Sequence, residues 1–214
     1  MSPILRNLPN IITASRLFFA SGFLLLITLA MRATEATEAG AEVPHGTQMQ
    51  LVWGFVLFVV AGLTDIIDGP LARRWKVTSS FGRRFDPFVD KVLIGGGFIL
   101  LAIYDTKVSG IAWWMVAIIL AREAFVTYLR HVSEQQGKAF AATWAGKLKM
   151  FLQSFAIGTV IIYMAYHQDK TWAVYFRNIV IWVAVIFTAF SALIYIPRMK
   201  HIRFSKKSQS VETD

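Results

Sequence analysis

The stretch Asp65–Lys91, DIIDGPLARRWKVTSSFGRRFDPFVDK, decides how the chain is read. It carries four aspartates and six basic residues, yet it lies between the apolar runs Leu51–Leu63 and Val92–Tyr104. Asp65 and Asp68 are three apart, and Asp86 and Asp90 four apart. On helices each pair stacks on one face, with neighbouring side chains about 5–6 Å apart. The two runs joined by a short polar turn are antiparallel neighbours, so their ends can bring the two pairs face to face.

The flanking runs belong to a chain too apolar for an ordinary soluble domain, at 56% hydrophobic and 16% charged residues. A helix needs roughly 20 apolar residues to cross the hydrocarbon of a bilayer. Met150–Gln168 and Asn178–Pro197 satisfy this outright, and Ile11–Met31 does so with one charge, Arg16. Leu51–Leu63, Val92–Tyr104 and Ile111–Ala121 are shorter but continue into polar sequence of helical pattern. The expected fold is all-α, an integral membrane bundle of six transmembrane helices over residues 1–204, with a polar tail at 205–214. The first run spans without an A-x-A-like site after it, so it is expected to be a retained helix and not a cleaved signal. The absence of cysteine excludes disulfide and thiolate chemistry.

The net charge of +9 is concentrated in four places: Arg6 and Arg16, Arg73 to Arg84, Arg130 to Lys149, and Arg198 to Lys207. Six helices put these four sets on one side, and the positive-inside rule makes that side, with both termini, cytoplasmic. The basic residues flank the membrane and suit anionic lipid headgroups, which gives nucleic-acid binding no support. The connection Arg32–Gln50 carries Glu35, Glu38 and Glu42 and falls on the other side.

Asn10 or Thr13 is positioned to cap the first helix, and Asn10 serves equally as a cap or a site residue. The second helix is expected from Met49 to Arg73, the third from Gly82 to Tyr104, the fourth from Ile111 to Glu134. Gly137 then breaks the chain, and the fifth and sixth start near Gly146 and Thr171. Gly95-Gly96-Gly97 inside the third points to close helix packing in lipid. Pro70 removes a backbone donor and is a kink position in the second. Trp113, Trp114, Trp172 and Trp182 read as helix-end interface belts and packing, and His131 as an interface residue.

Four clustered carboxylates repel one another and need a positive partner. Two divalent cations balance them, and all-oxygen donors favour magnesium, calcium or manganese over zinc. Such a pair, about 3.5–4 Å apart, clamps both oxygens of a phosphoryl displacement. The blander alternative pairs the aspartates with Arg73, Arg74, Arg83 and Arg84; it suffices for one acid but is weak for all four, because acids at a membrane edge are costly. The intervening residues suit a phosphate ligand. Gly69 permits close backbone approach, Ala72 is small, Arg73 can fork onto phosphate oxygens, and Gly82 opens a helix whose free N–H groups favour anions.

Asp65-x2-Asp68-Gly69-x2-Ala72-Arg73-x8-Gly82-x3-Asp86-x3-Asp90 resembles the signature of the CDP-alcohol phosphotransferase family at every fixed position. The resemblance implies a six-helix fold and transfer of a phosphatidyl or similar group from a CDP-linked donor to an alcohol, with CMP leaving. It implies that Asp65, Asp68, Asp86 and Asp90 hold two divalent cations, Mg2+ or Mn2+. Asp90 would also act as general base on the acceptor hydroxyl. Gly69, Ala72, Arg73 and Gly82 would contact the CDP group.

Further segments bear on the acceptor. NLPNIITASR, DPFVDK, and the R-E-x6-R and G-K-x-K elements of REAFVTYLRHVSEQQGKAFAATWAGKLKMFLQ resemble the phosphatidylglycerophosphate synthases of that family. The implied partners are CDP-diacylglycerol, glycerol 3-phosphate and membrane lipids, in a bacterial-type inner membrane with the site facing the cytoplasm; a homodimer is left open. Arg122 and Arg130 are eight apart, close to two helical turns, and Lys147 and Lys149 open the next helix. With Thr13 and Arg16 nearby, Arg122, Arg130, Lys147 and Lys149 would bind the acceptor phosphate. The alternative for these cations is that they are flanking charges. The role of Glu123, beside Arg122, is open.

The rival enzyme readings are family members with another acceptor: cardiolipin, phosphatidylserine or phosphatidylinositol-phosphate synthases. A divalent-cation transporter and a membrane scaffold are the rivals outside enzymology. The acids gather at one membrane edge and no polar chain crosses the bilayer, which disfavours transport.

Overall fold

The computed structural model describes residues 3–35, 43–75, 80–103, 106–136 and 144–195, with the backbone alone for 3–10, 12, 35, 65–75, 80–87 and 106–107. The described residues form seven helices and no strand: α1 (Pro3–Glu35), α2 (His45–Trp75), α3 (Ser80–Ile103), the single turn α4 (Thr106–Ser109), α5 (Trp113–Gln135), α6 (Trp144–Tyr166) and α7 (Thr171–Leu193). The six long helices have 23 or more residues. At 1.5 Å per residue the shortest is about 35 Å long, enough to cross ~30 Å of hydrocarbon. The break expected at Gly137 and the tail at 205–214 lie outside the described residues.

By length and hydropathy four segments qualify as membrane spans: Thr13–Thr34, His45–Thr64, Trp144–Tyr166 and Thr171–Leu193. The chain is an integral membrane protein. The helices α3 and α5 fall short on composition, because charged residues are spread through one half of each: Arg83, Arg84, Asp86, Asp90 and Lys91 in one, Arg122, Glu123, Arg130 and Glu134 in the other. Large side chains such as Phe18, Leu25, Trp53, Tyr175, Ile186 and Phe190 point outward and are exposed, as a lipid-facing surface requires.

Burial follows helical period. On α1 the buried residues are Thr13, Arg16, Ala20, Phe23, Ile27 and Ala30, one seam at spacings of three and four. The cap expected of Asn10 or Thr13 is therefore corrected. The helix begins at Pro3 and runs through Pro9, whose missing N–H costs one backbone bond without ending the helix. Likewise α2 continues through Pro70 to Trp75. Trp182 lies midway along α7 and not at its end, with its ring 5.4 Å from that of Trp114. Trp113, Trp114 and Trp172 are exposed near helix starts.

Apolar burial drives helices together weakly in lipid, so close packing must hold the bundle. The triple glycine on α3 shows how. Successive residues point about 100° apart around a helix, and each glycine meets a different neighbour. A Cβ would lie 3.3 Å from Leu120 of α5 at Gly95, 3.3 Å from Leu24 of α1 at Gly96, and 3.1 Å from Ile157 of α6 at Gly97. The helix α3 is thus ringed by α1, α5 and α6. Gly97→Leu is expected to destabilise the bundle by about 1–3 kcal/mol through overpacking, measurable as a lower Tm in detergent. An unchanged Tm would mean that Ile157 and Phe23 yield freely.

On the side away from the aspartates, buried Arg177 of α7 locks the α4–α5 link. Its Nη1 donates to the Val108 carbonyl at 2.6 Å, and its guanidinium lies 4.4 Å from the centre of the Tyr163 ring. Gly110, at φ +75°, passes beneath it where a Cβ would sit 2.8 Å from Arg177 Nε. Only glycine meets both demands without strain.

Candidate active site

Asp65 and Asp68 lie in α2, and Asp86 and Asp90 in α3, so each pair keeps its one-turn helical spacing. The side chains of Asp65, Asp68, Asp86, Gly69, Ala72, Arg73 and Gly82 are outside the described residues. Asp90 is described: half-buried, it faces Arg16 of α1, with Nη1 3.5 Å from Oδ1. Arg16 occupies the buried seam above Ala20 and is 1% exposed. A cation so buried needs a counter-charge, and the carboxylate of Asp90 provides one.

A second cluster forms where α5, α6 and α7 converge. Arg122 lies on the buried seam of α5 with Ile119, Val126 and Leu129, and Lys149 on that of α6 with Ala145 and Gln153. Glu123 joins them. Its Oε1 accepts from Arg122 Nη1 at 3.3 Å and from Lys149 Nζ. Arg122 Nε donates to Ser191 Oγ of α7 at 2.9 Å, and the guanidinium lies 5.5 Å from the centre of the Tyr195 ring. Among the described residues Arg122 Nη2 has no hydrogen-bond partner. Two cations against one carboxylate leave a positive charge over in a site where both cations are buried. An orphaned buried donor costs about 1–3 kcal/mol, so the cluster is built to receive an anion.

Of the acceptor residues expected from sequence, Arg122 and Lys149 come together, Arg16 sits at Asp90, and Thr13 is buried one turn before Arg16. Arg130 and Lys147 are exposed. Eight residues on a helix fall about 80° past two turns, which brings Arg130 out of the seam. The exposed His131 bonds Gln135 at 3.0 Å. Two buried polar residues beside this cluster, Thr188 and Ser191, were not anticipated from the sequence. Gln153 donates to Thr188 Oγ1 at 3.0 Å, and Ser191 holds Arg122. Their signal was in the register: Thr188 and Ser191 fall on the α7 seam of Ile181 and Ala184.

A groove of about 1010 Å³ opens beside the site between α2, α3, α6 and the start of α7. Asp90 and Lys147 line it at one end, His167 and Trp172 at the other, and apolar side chains such as Phe58, Leu93, Phe155 and Ile162 between. From Lys147 to His167 along α6 is about 30 Å, the depth of a bilayer's hydrocarbon.

One membrane bundle thus carries a helix pair with paired aspartates, a buried cationic cluster and a groove of bilayer depth. The chain belongs to the CDP-alcohol phosphatidyltransferase family, whose model matches residues 6–190, and it is an enzyme of that class. It is similar to the CDP-diacylglycerol–glycerol-3-phosphate 3-phosphatidyltransferase of Bacillus subtilis (strain 168), 32% identical over 97% of this chain and 98% of the relative. The Rickettsia typhi protein of the same name is 30% identical over 92% and 98%. A probable phosphatidylglycerophosphate synthase of Mycobacterium tuberculosis is 35% identical over 73% of this chain and 66% of that protein.

Proposed function

We propose that the protein transfers the phosphatidyl group of CDP-diacylglycerol to glycerol 3-phosphate, yielding phosphatidylglycerophosphate and CMP. The observation that carries this is the buried Arg122–Glu123–Lys149 cluster, with two cations on one carboxylate and Arg122 Nη2 unpartnered among the described residues. A phosphorylated acceptor supplies a phosphate for these cations; a neutral alcohol supplies no anion, and zwitterionic serine brings its own ammonium with its carboxylate.

The donor's diacyl chains lie in the groove, which begins at Asp90 and is apolar along its length. Its cytidine diphosphate meets Gly69, Ala72, Arg73 and Gly82. An all-carboxylate donor set in helical register fits hard divalent cations. Asp65, Asp68, Asp86 and Asp90 would hold two of them, magnesium or manganese, which supply charge against the pyrophosphate and the departing CMP. Arg122 and Lys149 bind the phosphate of the acceptor, with the exposed Lys147 and Arg130 drawing it in from solvent. The acceptor hydroxyl attacks the lipid-side phosphorus, its proton passes to Asp90, and the bond from that phosphorus to the CMP oxygen breaks. Arg16 steadies Asp90 for that transfer.

In this reading all six long helices span a bacterial-type cell membrane, with both termini and the site on the cytoplasmic side. The four basic clusters support that orientation, and CMP then leaves to water while the product stays in lipid.

The test is CMP release by purified protein in detergent with CDP-diacylglycerol and magnesium. Release is expected with glycerol 3-phosphate and at least about 100-fold less with serine, which lacks the phosphate the cluster is built for; inositol phosphate and phosphatidylglycerol, which carry one, test the fit of the rest of the acceptor. Preference for an unphosphorylated acceptor would keep the aspartate chemistry and sink the assignment of Arg122 and Lys149, and preference for inositol phosphate would sink glycerol 3-phosphate alone. No release with any acceptor would sink both.

A further inference from the structure

Nothing in the transfer step itself calls for a buried serine in the last turn of α7. Ser191 is fully buried, and its hydroxyl donates to the Thr188 carbonyl one turn back at 2.7 Å. That bond alone would satisfy a serine in a membrane helix. It also commits the only hydroxyl proton, so what remains toward Arg122 is an acceptor. Arg122 Nε donates to it at 2.9 Å across 69 residues of chain.

The guanidinium is therefore held on three sides: Nε by Ser191, Nη1 by Glu123, and one face by Tyr195. Nη2 is what is left, and it has no partner among the described residues. Arginine has many rotamers, and fixing it before the ligand arrives lowers the cost of binding. We propose that Ser191 is a positioning residue that holds Arg122 with its Nη2 edge free for the acceptor's phosphate. The proposal rests on the acceptor reading given under Proposed function. The neighbouring Gln153–Thr188 hydrogen bond joins α6 to α7 without touching Arg122, and serves as the structural comparison.

The experiment is steady-state CMP release by the full chain, with the KM for glycerol 3-phosphate and for CDP-diacylglycerol measured separately. Ser191→Ala is expected to raise the acceptor KM about tenfold, the usual effect of losing one hydrogen bond to a charged group. The donor KM and kcat should stay within about twofold. Ser191→Thr, which keeps a hydroxyl able to make the same backbone bond, is expected to restore the acceptor KM. Thr188→Val is expected to lower Tm and leave both KM values near wild type. In an Arg122→Ala background Ser191→Ala should add nothing, since coupled residues are not additive.

Three results would overturn the positioning role. They are an unchanged acceptor KM in Ser191→Ala, both KM values rising together with Tm falling as in Thr188→Val, or a tenfold effect that persists without Arg122. Wild-type protein that turns over only unphosphorylated acceptors would instead overturn the acceptor reading beneath it. The wild-type assay thus separates the two failures.

Discussion

Asp90→Asn is expected to fold and bind CDP-diacylglycerol, yet to release CMP about 100- to 10,000-fold more slowly, the usual loss when a positioned general base is removed. The substitution preserves shape and one ligating oxygen. It removes the negative charge that faces Arg16 at 3.5 Å and the atom that would take the hydroxyl proton. Arg16 is 1% exposed, so some loss of stability accompanies the change. For that reason Tm and donor binding are to be measured alongside kcat. A variant with wild-type Tm and kcat within threefold of wild type would take Asp90 out of the chemistry.

The second large effect is expected at Arg122. Arg122→Ala should raise the KM for glycerol 3-phosphate at least about 100-fold, since two charge-assisted bonds of roughly 1.5–3 kcal/mol each are lost. The donor KM should hardly move, because the groove lies between α2, α3, α6 and the start of α7 and the residues proposed to meet CDP lie on α2 and α3. The fold should survive. Removing Arg122 leaves Glu123 still paired with Lys149, so no buried carboxylate is orphaned. Arg122→Lys keeps the charge but cannot reach Ser191, Glu123 and a phosphate at once, so it should fall between. Equal rises in both KM values would show that Arg122 supports the whole site and not the acceptor.

Much of this protein was legible in the order of its residues. Apolar runs of bilayer length mark the helices, because a chain in hydrocarbon must satisfy its own backbone and has only the helix to do it with in segments this long. The observed helix bounds lie within about four residues of the expected ones except in α1, which was expected to start at Asn10 or Thr13 and instead runs from Pro3 to Glu35. The aspartate pattern was legible for a similar reason. Carboxylates that must share a face have to recur at three or four residues, so spacing alone betrays them.

What the sequence could not decide is which cations are buried and what they meet. Arg122 and Arg130 share a helix, as do Lys147 and Lys149, and in each pair only one lies in the seam. A helical register defines a face but not its neighbour; the neighbour comes from how α5, α6 and α7 pack. Ser191 reaches Arg122, and Arg16 reaches Asp90, between helices far apart in sequence, and no local pattern encodes such a meeting. The triple glycine is similar. Its composition announced close packing, but only the bundle assigns Gly95 to α5, Gly96 to α1 and Gly97 to α6. The groove, too, is a space between helices and belongs to no residue. The chain's order determined the helices, the helical spacing of the four aspartates and the likeness to a transferase family. The tertiary packing decided the pocket, because in lipid it is shape and buried charge, not hydrophobicity, that select which helix faces meet.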